Sequence, residues 1–230
     1  MNKVLRNIYS TIPRTYELVN HIITFGMDII TRRRAARTAS EDGGEYWLDI
    51  CSGTGEMAGY LNKLSRNGTK IYAADFSYPM LSLARAKSFG DKINFALSLA
   101  GDLPFADSTF DLITISYATR NLNSTPEGLL HHFKEFNRVL KPGGRFVNLE
   151  TSQPKSSIIK KLVHLYVKLT VAPIGGLISG SGAGYRYLSG SIRSFYSAEQ
   201  LADVLHESGF SEVTFKHQFF GVTAIHKAVK

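Results

Sequence analysis

The chain has 230 residues, 43% hydrophobic and 20% charged, which is ordinary for a soluble globular protein with room for a substantial core. A net charge of +8 permits attraction to nucleic acid, to an anionic membrane surface or to an acidic partner, and selects none of them. The single cysteine, Cys51, excludes an internal disulfide; with no secretory signal pattern and no run of about 18 uninterrupted apolar residues, a cytoplasmic protein not integral to a membrane is expected.

Residues 1–45 read as helices. Tyr16, Leu18, Val19, Ile22, Ile23 and Phe25 make an apolar face that Gly26 interrupts. Arg32, Arg33, Arg34 and Arg37 then read as a solvated helix end, or more sharply as a surface for an acidic partner. After a turn-rich linker, Tyr46 to Glu56 is the stretch around which the chain is organised. An apolar run carrying one carboxylate, Asp49, breaks into small residues with Gly53 and Gly55, and a helical pattern (Met57, Tyr60, Leu61, Leu64) follows. That is a buried strand, a tight turn and a helix N-terminus, whose free N–H groups favour an anionic group.

From here strand and helix alternate, which predicts a parallel sheet covered on both faces. A second strand ends in Asp75, at about the spacing where an α/β nucleotide fold places an acid on ribose hydroxyls. Ser77 and Pro79 open the next helix, which includes Met80. Strands follow at Ile93–Leu97 and Phe110–Tyr117, then a helix capped by Thr125, a breaker turn Lys141-Pro142-Gly143-Gly144, and a strand Arg145–Glu150. Beyond 150 the alternation lapses. Residues 155–172 are basic and amphipathic, Pro173–Gly184 reads as a small-residue mobile loop, and Tyr185-Arg186-Tyr187-Leu188 follows it. A final helix starting after Ser197 leads to two strands close enough to form an antiparallel hairpin. The expectation is one domain over 1–230: a Rossmann-like α/β fold with a seven-stranded mixed sheet, helices on both faces, N-terminal helices (1–45) and a helical cap (about 151–196).

Cys51 stands where a dinucleotide fingerprint has its first glycine, and no third glycine follows at that spacing. A pyrophosphate is therefore disfavoured, and a nucleoside with a carboxylate tail, such as S-adenosylmethionine (SAM), fits better. The turn backbone at Gly53 and Gly55, with Asp49 at the strand end, is expected at its methionine end. Phe76 and Met80 are expected on the adenine face.

Asp49-Ile-Cys-Ser-Gly-Thr-Gly-Glu, Asp75, Leu103-Pro104-Phe105 through Phe110-Asp111, Arg138-Val139-Leu140-Lys141-Pro142-Gly143-Gly144 and the closing hairpin resemble a class I SAM-dependent methyltransferase. Tyr16–Asn20 with Phe25-Gly26-Met27-Asp28, Ile115-Ser116-Tyr117 through Arg120-Asn121, Tyr185–Leu188 with Ser191-Ile192, and Gly221-Val222 with His226 resemble the ubiquinone and menaquinone C-methyltransferases (UbiE type). The resemblance spans nearly the whole sequence. It implies SAM contacts at Thr54, Asp75, Leu99-Ala100 and Ser116. The family pattern has Asn or Asp before Ala where this sequence has Leu99, so a backbone group or Asp102 must read the adenine amino group instead.

The resemblance implies ring C-methylation of a prenylated hydroquinone in ubiquinone or menaquinone biosynthesis. The acceptor hydroxyl must then lose a proton, and a polar group must hold the resulting oxygen. Position at the end of the fourth strand favours Tyr117, Arg120 and Asn121 as catalytic, with Tyr16, Tyr185 and Arg186 lining the acceptor site. Against this, Arg120 would simply pair with an acid, Tyr16 would be core, and His164 and His226 would be structural. No metal is expected. The basic segment 155–172 either lies on a membrane interface, making the protein peripheral on the inner face, or packs on the sheet with its lysines in water. A homodimer stays open. Other small hydrophobic acceptors, and a non-catalytic or nucleic-acid-associated SAM module, are the competing readings; no nucleic acid is expected, because aromatic residues are not interleaved with basic ones.

Overall fold

The computed structural model describes residues 13–123, 126–180 and 182–230; the expected cap at Thr125 lies outside them. Seven strands form one sheet: β1 (Tyr46–Ile50), β2 (Lys70–Asp75), β3 (Ile93–Leu97), β4 (Phe110–Ser116), β5 (Leu140–Thr151), β6 (Ser211–Gln218) and β7 (Thr223–Val229). Their order is β3-β2-β1-β4-β5-β7-β6. The first five are parallel, and β7 runs antiparallel to both β5 and β6, so the closing hairpin and the mixed sheet are as expected. The helices are α1 (Pro13–Ile23), α2 (Met27–Ser40), α3 (Glu56–Leu64), α4 (Tyr78–Arg85), α5 (Thr119–Leu122), α6 (Pro126–Val139), α7 (Ser157–Ser179), α8 (Gly182–Ser194) and α9 (Ala198–Glu207).

The near-continuous apolar runs of the central strands follow from burial on both faces. On one face Phe133, Phe136, Leu201, Leu205 and Phe210 from α6, α9 and the following turn pack with Phe146. On the other, Ala35, Ala36 and Ala39 of α2 and Met57 and Leu61 of α3 cover Trp47, Leu112 and Val147. Strand order reverses between β1 and β4, and a crevice opens at their carboxyl ends, where ligands bind in open α/β sheets.

Three expectations change. The breaker turn at 141–144 does not precede β5 but bulges out of it: the pairing jumps from Phe110↔Leu140 to Leu112↔Arg145. The described residues of the stretch 173–184 do not form the expected mobile loop. α7 continues through Pro173 to Ser179, and α8 starts at Gly182 and folds back on it. Small residues allow this approach; a Cβ on Gly175 would stand 2.2 Å from the Tyr185 ring, so only glycine lets the ring lie there. Finally, Arg32 leaves the solvated cluster. Arg33, Arg34 and Arg37 are exposed, but Arg32 points inward and is 4% exposed.

α7 is long and apolar enough, over Ser157–Ile178, to cross a membrane by length and composition. Val167 and Val171 on one side pack with Val19, Ile23 and Tyr185, while much of the rest of the helix is exposed.

Candidate active site

A cavity of about 370 Å³ occupies the crevice. Its floor is the turn after β1. Cys51 has φ 53°, a left-handed backbone that costs a non-glycine residue about 1–3 kcal/mol and tends to cluster at functional sites. Gly53 also has a positive φ, 54°, and a Cβ there would meet nothing within 4 Å, so the backbone is bare toward the cavity. Gly55 differs: it caps α3 in the αL conformation and abuts Ala84 and Phe89, away from the cavity. Asp49 does not line the cavity either. It is 1% exposed and accepts a 2.8 Å hydrogen bond from Thr114 Oγ1. Burial pushes its carboxyl up to about 7, against the Thr114 hydroxyl, the Arg32 charge and the Ala58 N–H, which pull it down. Asp49 and Gly55 therefore support the turn from beneath, outside the lining of the cavity.

The other residues expected around SAM line this one cavity: Gly53, Thr54, Asp75, Phe76, Met80, Leu99, Ala100 and Ser116, together with Asn121 and Tyr117. Asp75 accepts backbone N–H groups from Gly53 (2.9 Å) and Ser77 (2.8 Å), which ties the end of β2 to the turn after β1. Burial raises its pKa, offset in part by those N–H groups. Beyond Leu99 the wall continues through Gly101 and Asp102 to His131, whose Nε2 lies 3.0 Å from the Gly101 carbonyl oxygen.

A second cavity, of about 360 Å³, lies between α1, α7 and α8 and the ends of β5 and β7. Ile23, Leu162, Val163, Val167, Leu188 and Ile192 help make its surface mostly apolar, with Arg120, Gln153 and His164 among the polar side chains at its wall. Tyr16, Arg32 and Tyr117 line both cavities and form the wall between them. Tyr117 has φ 57°, its hydroxyl lies 2.6 Å from Thr31 Oγ1, and burial pushes its phenol up to about 12. The Arg32 guanidinium lies 5.1 Å from the Tyr117 ring centre, within cation–π range.

Arg32 was not singled out from the sequence, yet it is the best-anchored charge in the crevice. Its Nη1 is 2.7 Å from Asp28 Oδ2 and 3.3 Å from Glu56 Oε2. Burial alone would lower its pKa, but the charges of Glu56, Tyr117 and Asp28 more than reverse this and hold it protonated. His21 joins through Nδ1, 2.8 Å from Asp28 Oδ2. Burial would raise the Asp28 carboxyl, but the Thr24 hydrogen bond and the Arg32 and His21 charges bring it below its ordinary value. His21, Asp28 and Glu56 bring ligand-type atoms within 4.8 Å of one another, but Arg32 already supplies the cation there. The signal in the sequence is the Asp28–Arg32 spacing of four on a helix.

Arg120 borders the second cavity and pairs with an acid. It is 7% exposed, its Nη1 is 2.5 Å from Glu150 Oε1, and its backbone N–H donates to Glu150 Oε2. Tyr185 and Arg186 do not line the second cavity. Tyr185 is buried between α7 and α8, and Arg186 faces an outward groove. A helix turns each residue about 100° from the last, and the loop expected here carried no such constraint. His226 is buried, with Nε2 2.9 Å from the Ala198 carbonyl oxygen.

The sheet order and a glycine-floored crevice whose acid lies at the end of β2 define a SAM-dependent methyltransferase. Solved structures agree on the fold: a SAM-dependent methyltransferase from Aquifex aeolicus matches with a TM-score of 0.58 at 17% identity, over 85% of this chain and 88% of that one. Human N-acetylserotonin methyltransferase in complex with SAM matches at 0.62 and 17%, over 94% and 57%. All 230 residues match the model of the ubiE/COQ5 methyltransferase family, and the chain belongs to that family. It is 37% identical to a demethylmenaquinone methyltransferase of Thermus thermophilus, over 95% of this chain and 98% of the relative. It is 36% identical to a ubiquinone/menaquinone biosynthesis C-methyltransferase of Desulfotalea psychrophila, over 98% and 90%.

Proposed function

We propose that this protein transfers a methyl group to a ring carbon of a prenylated hydroquinone, of the demethylmenaquinol or ubiquinol-precursor type. The observation that carries this is the pair of cavities meeting at Tyr16, Arg32 and Tyr117, one built for a nucleoside and the other mostly apolar and able to take a ring and the start of its prenyl tail. The names of the relatives support the same acceptor class.

The bare backbone at Gly53 and the buried acid at Asp75 fit SAM, which when bound supplies an electrophilic methyl group. Asp75 takes the ribose hydroxyls with the lone pairs its N–H donors leave free. Phe76 and Met80 flank the adenine, beside Leu99, Ala100 and Asp102. Arg32 and Glu56 line the cavity as a fixed cation and anion, complementary to the carboxylate and ammonium of the methionine end; Thr54 and Ser116 complete it. On the acceptor side, Tyr16 and Tyr117 hold the ring at the wall. Arg120, oriented by Glu150, steadies the phenolate oxygen that forms when the hydroxyl loses its proton to water, whereas Asn121, expected to orient that water, lines the nucleoside cavity. The exposed apolar and basic side of α7 rests on the membrane surface, from which the acceptor enters; this peripheral contact, the cytoplasmic location and the single-domain organisation with α7 and α8 as a cap are parts of the same proposal.

The test is methylation by the purified protein of a reduced demethylmenaquinone and a ubiquinone precursor, with labelled SAM and product identification by mass spectrometry. Ring-methylated product is expected from at least one. Label appearing only in other components of a total lipid extract would move the reading to another hydrophobic acceptor.

A further inference from the structure

No Asp or Glu occurs between Glu150 and Glu199, while Lys155, Lys160, Lys161, Lys168, Arg186 and Arg193 all do. This one segment, the α7–α8 pair with its flanks, therefore carries six of the cations behind the net charge of +8. Lys155 is paired with Glu199 at 2.8 Å. The other five have no carboxylate within 4.0 Å among the described residues. Three of them, Lys168, Arg186 and Arg193, converge on an open groove of about 520 Å³ floored by Ala172, Pro173 and Ser189. The Arg193 Nε–H donates to the Ser189 carbonyl oxygen at 3.2 Å, which holds that guanidinium against the groove. Three like charges around one hollow repel one another, and an anion with several acceptor oxygens relieves the repulsion.

A second observation selects the source of that anion. Ile158, Leu162, Leu165 and Leu169 recur at spacings of four, three and four, so they share one side of α7, and they are between 53 and 70% exposed. Lys161 and Lys168, two turns apart, flank this stripe on the groove side. On its other side Leu162 also lines the acceptor cavity. Apolar stripe, flanking cations and cavity mouth thus succeed one another around the helix, as headgroup and acyl layers do at a bilayer surface.

We propose that this side of α7 and α8 seats on an anionic phospholipid bilayer, with a lipid headgroup phosphate in the Lys168–Arg186–Arg193 groove. This deepens the peripheral-membrane reading given above and rests on it. The experiment is vesicle co-sedimentation of the full-length protein with phosphatidylcholine vesicles, with and without phosphatidylglycerol, comparing wild type with K168A/R193A and with L165D. Wild type is expected to bind the phosphatidylglycerol vesicles and to lose binding at high salt. Each basic residue near an anionic surface contributes roughly five-fold, so K168A/R193A is expected to bind about 30-fold more weakly. L165D is also expected to bind more weakly, and both variants should keep wild-type methylation of a short, water-soluble acceptor. Wild-type vesicle binding by K168A/R193A would overturn the groove and leave the membrane reading standing. No vesicle binding by wild type, whether the protein is monomeric or a dimer joined through the stripe, would overturn both. Preference for an RNA oligonucleotide, or full competition by inorganic phosphate at matched ionic strength, would overturn the bilayer as the occupant.

Discussion

Replacing Asp49 by asparagine removes a carboxyl group whose ionisation works against the fold. The group is buried, and its pKa is pushed up to about 7 from an ordinary 3.8. Below pH 4 the folded and unfolded states both hold the proton, and the group costs nothing. Between about pH 4 and 7 the unfolded state releases the proton while the folded state keeps it, so stability falls as pH rises. Above about 7 both have ionised and the loss levels off. At 1.36 kcal/mol per tenfold the full loss is ~4 kcal/mol, and a protein of this size changes Tm by roughly 2–4 °C per kcal/mol. Asp49→Asn should therefore gain about 8–16 °C of Tm relative to wild type between pH 4 and pH 8, measured by calorimetric or circular-dichroism melts. The amide keeps the acceptor for Thr114 Oγ1. Any fixed penalty from its NH₂ group shifts the variant equally at every pH and leaves the change in the gap intact. Parallel Tm curves for the two proteins would refute the reasoning.

Arg120→Ala strands Glu150, which is 1% exposed, and is expected to cost about 3–5 kcal/mol in urea titrations, whereas Arg120→Leu/Glu150→Leu should recover most of it; a loss below ~1 kcal/mol for the single variant would mean that the pair is not structural. Arg32→Ala and Glu56→Gln each remove a charge-assisted contact worth about 1.5–3 kcal/mol, so calorimetry should find SAM binding weakened by roughly 10- to 100-fold, and unchanged affinity would withdraw the methionine-end assignment. Asp75→Ala is expected to weaken SAM binding at least as much, because the ribose contacts and the tie to Gly53 are lost together. Two helix glycines should respond with opposite signs. Gly175→Ala forces the Tyr185 ring aside and is expected to destabilise by about 1–3 kcal/mol, whereas at Gly190 a methyl group meets nothing within 4 Å and Ala is expected to stabilise by roughly 0.5–1 kcal/mol.

The sheet and its nucleotide crevice were legible because their signals are local. A buried strand, a glycine turn, a helix start and an acid at the end of the next strand each follow from a few adjacent residues. Arg32 was hidden for the opposite reason. In a run of three arginines composition says "solvated", and only the azimuth of each side chain on α2 decides which one turns inward to Asp28 and Glu56. Tyr185 and Arg186 were misplaced because Pro173, Gly175 and Gly176 read locally as breakers. Close packing of α7 on α8 overrides that preference, and the helix it imposes swings both side chains away from the second cavity. Asp49 was read as a contact because it heads the motif; that it sits one layer beneath depends on Thr114, sixty-five residues away on the neighbouring strand.

The two cavities share only Tyr16, Arg32 and Tyr117, and each is otherwise walled by its own set of residues and open to solvent. Such a partition gives the enzyme two doors. If nucleoside and acceptor occupy them as proposed, spent nucleoside leaves for fresh through one while a long-tailed product still occupies the other. Under the proposed assignment, product-inhibition kinetics are expected to show a random order of release; an obligatory order would refute the partition.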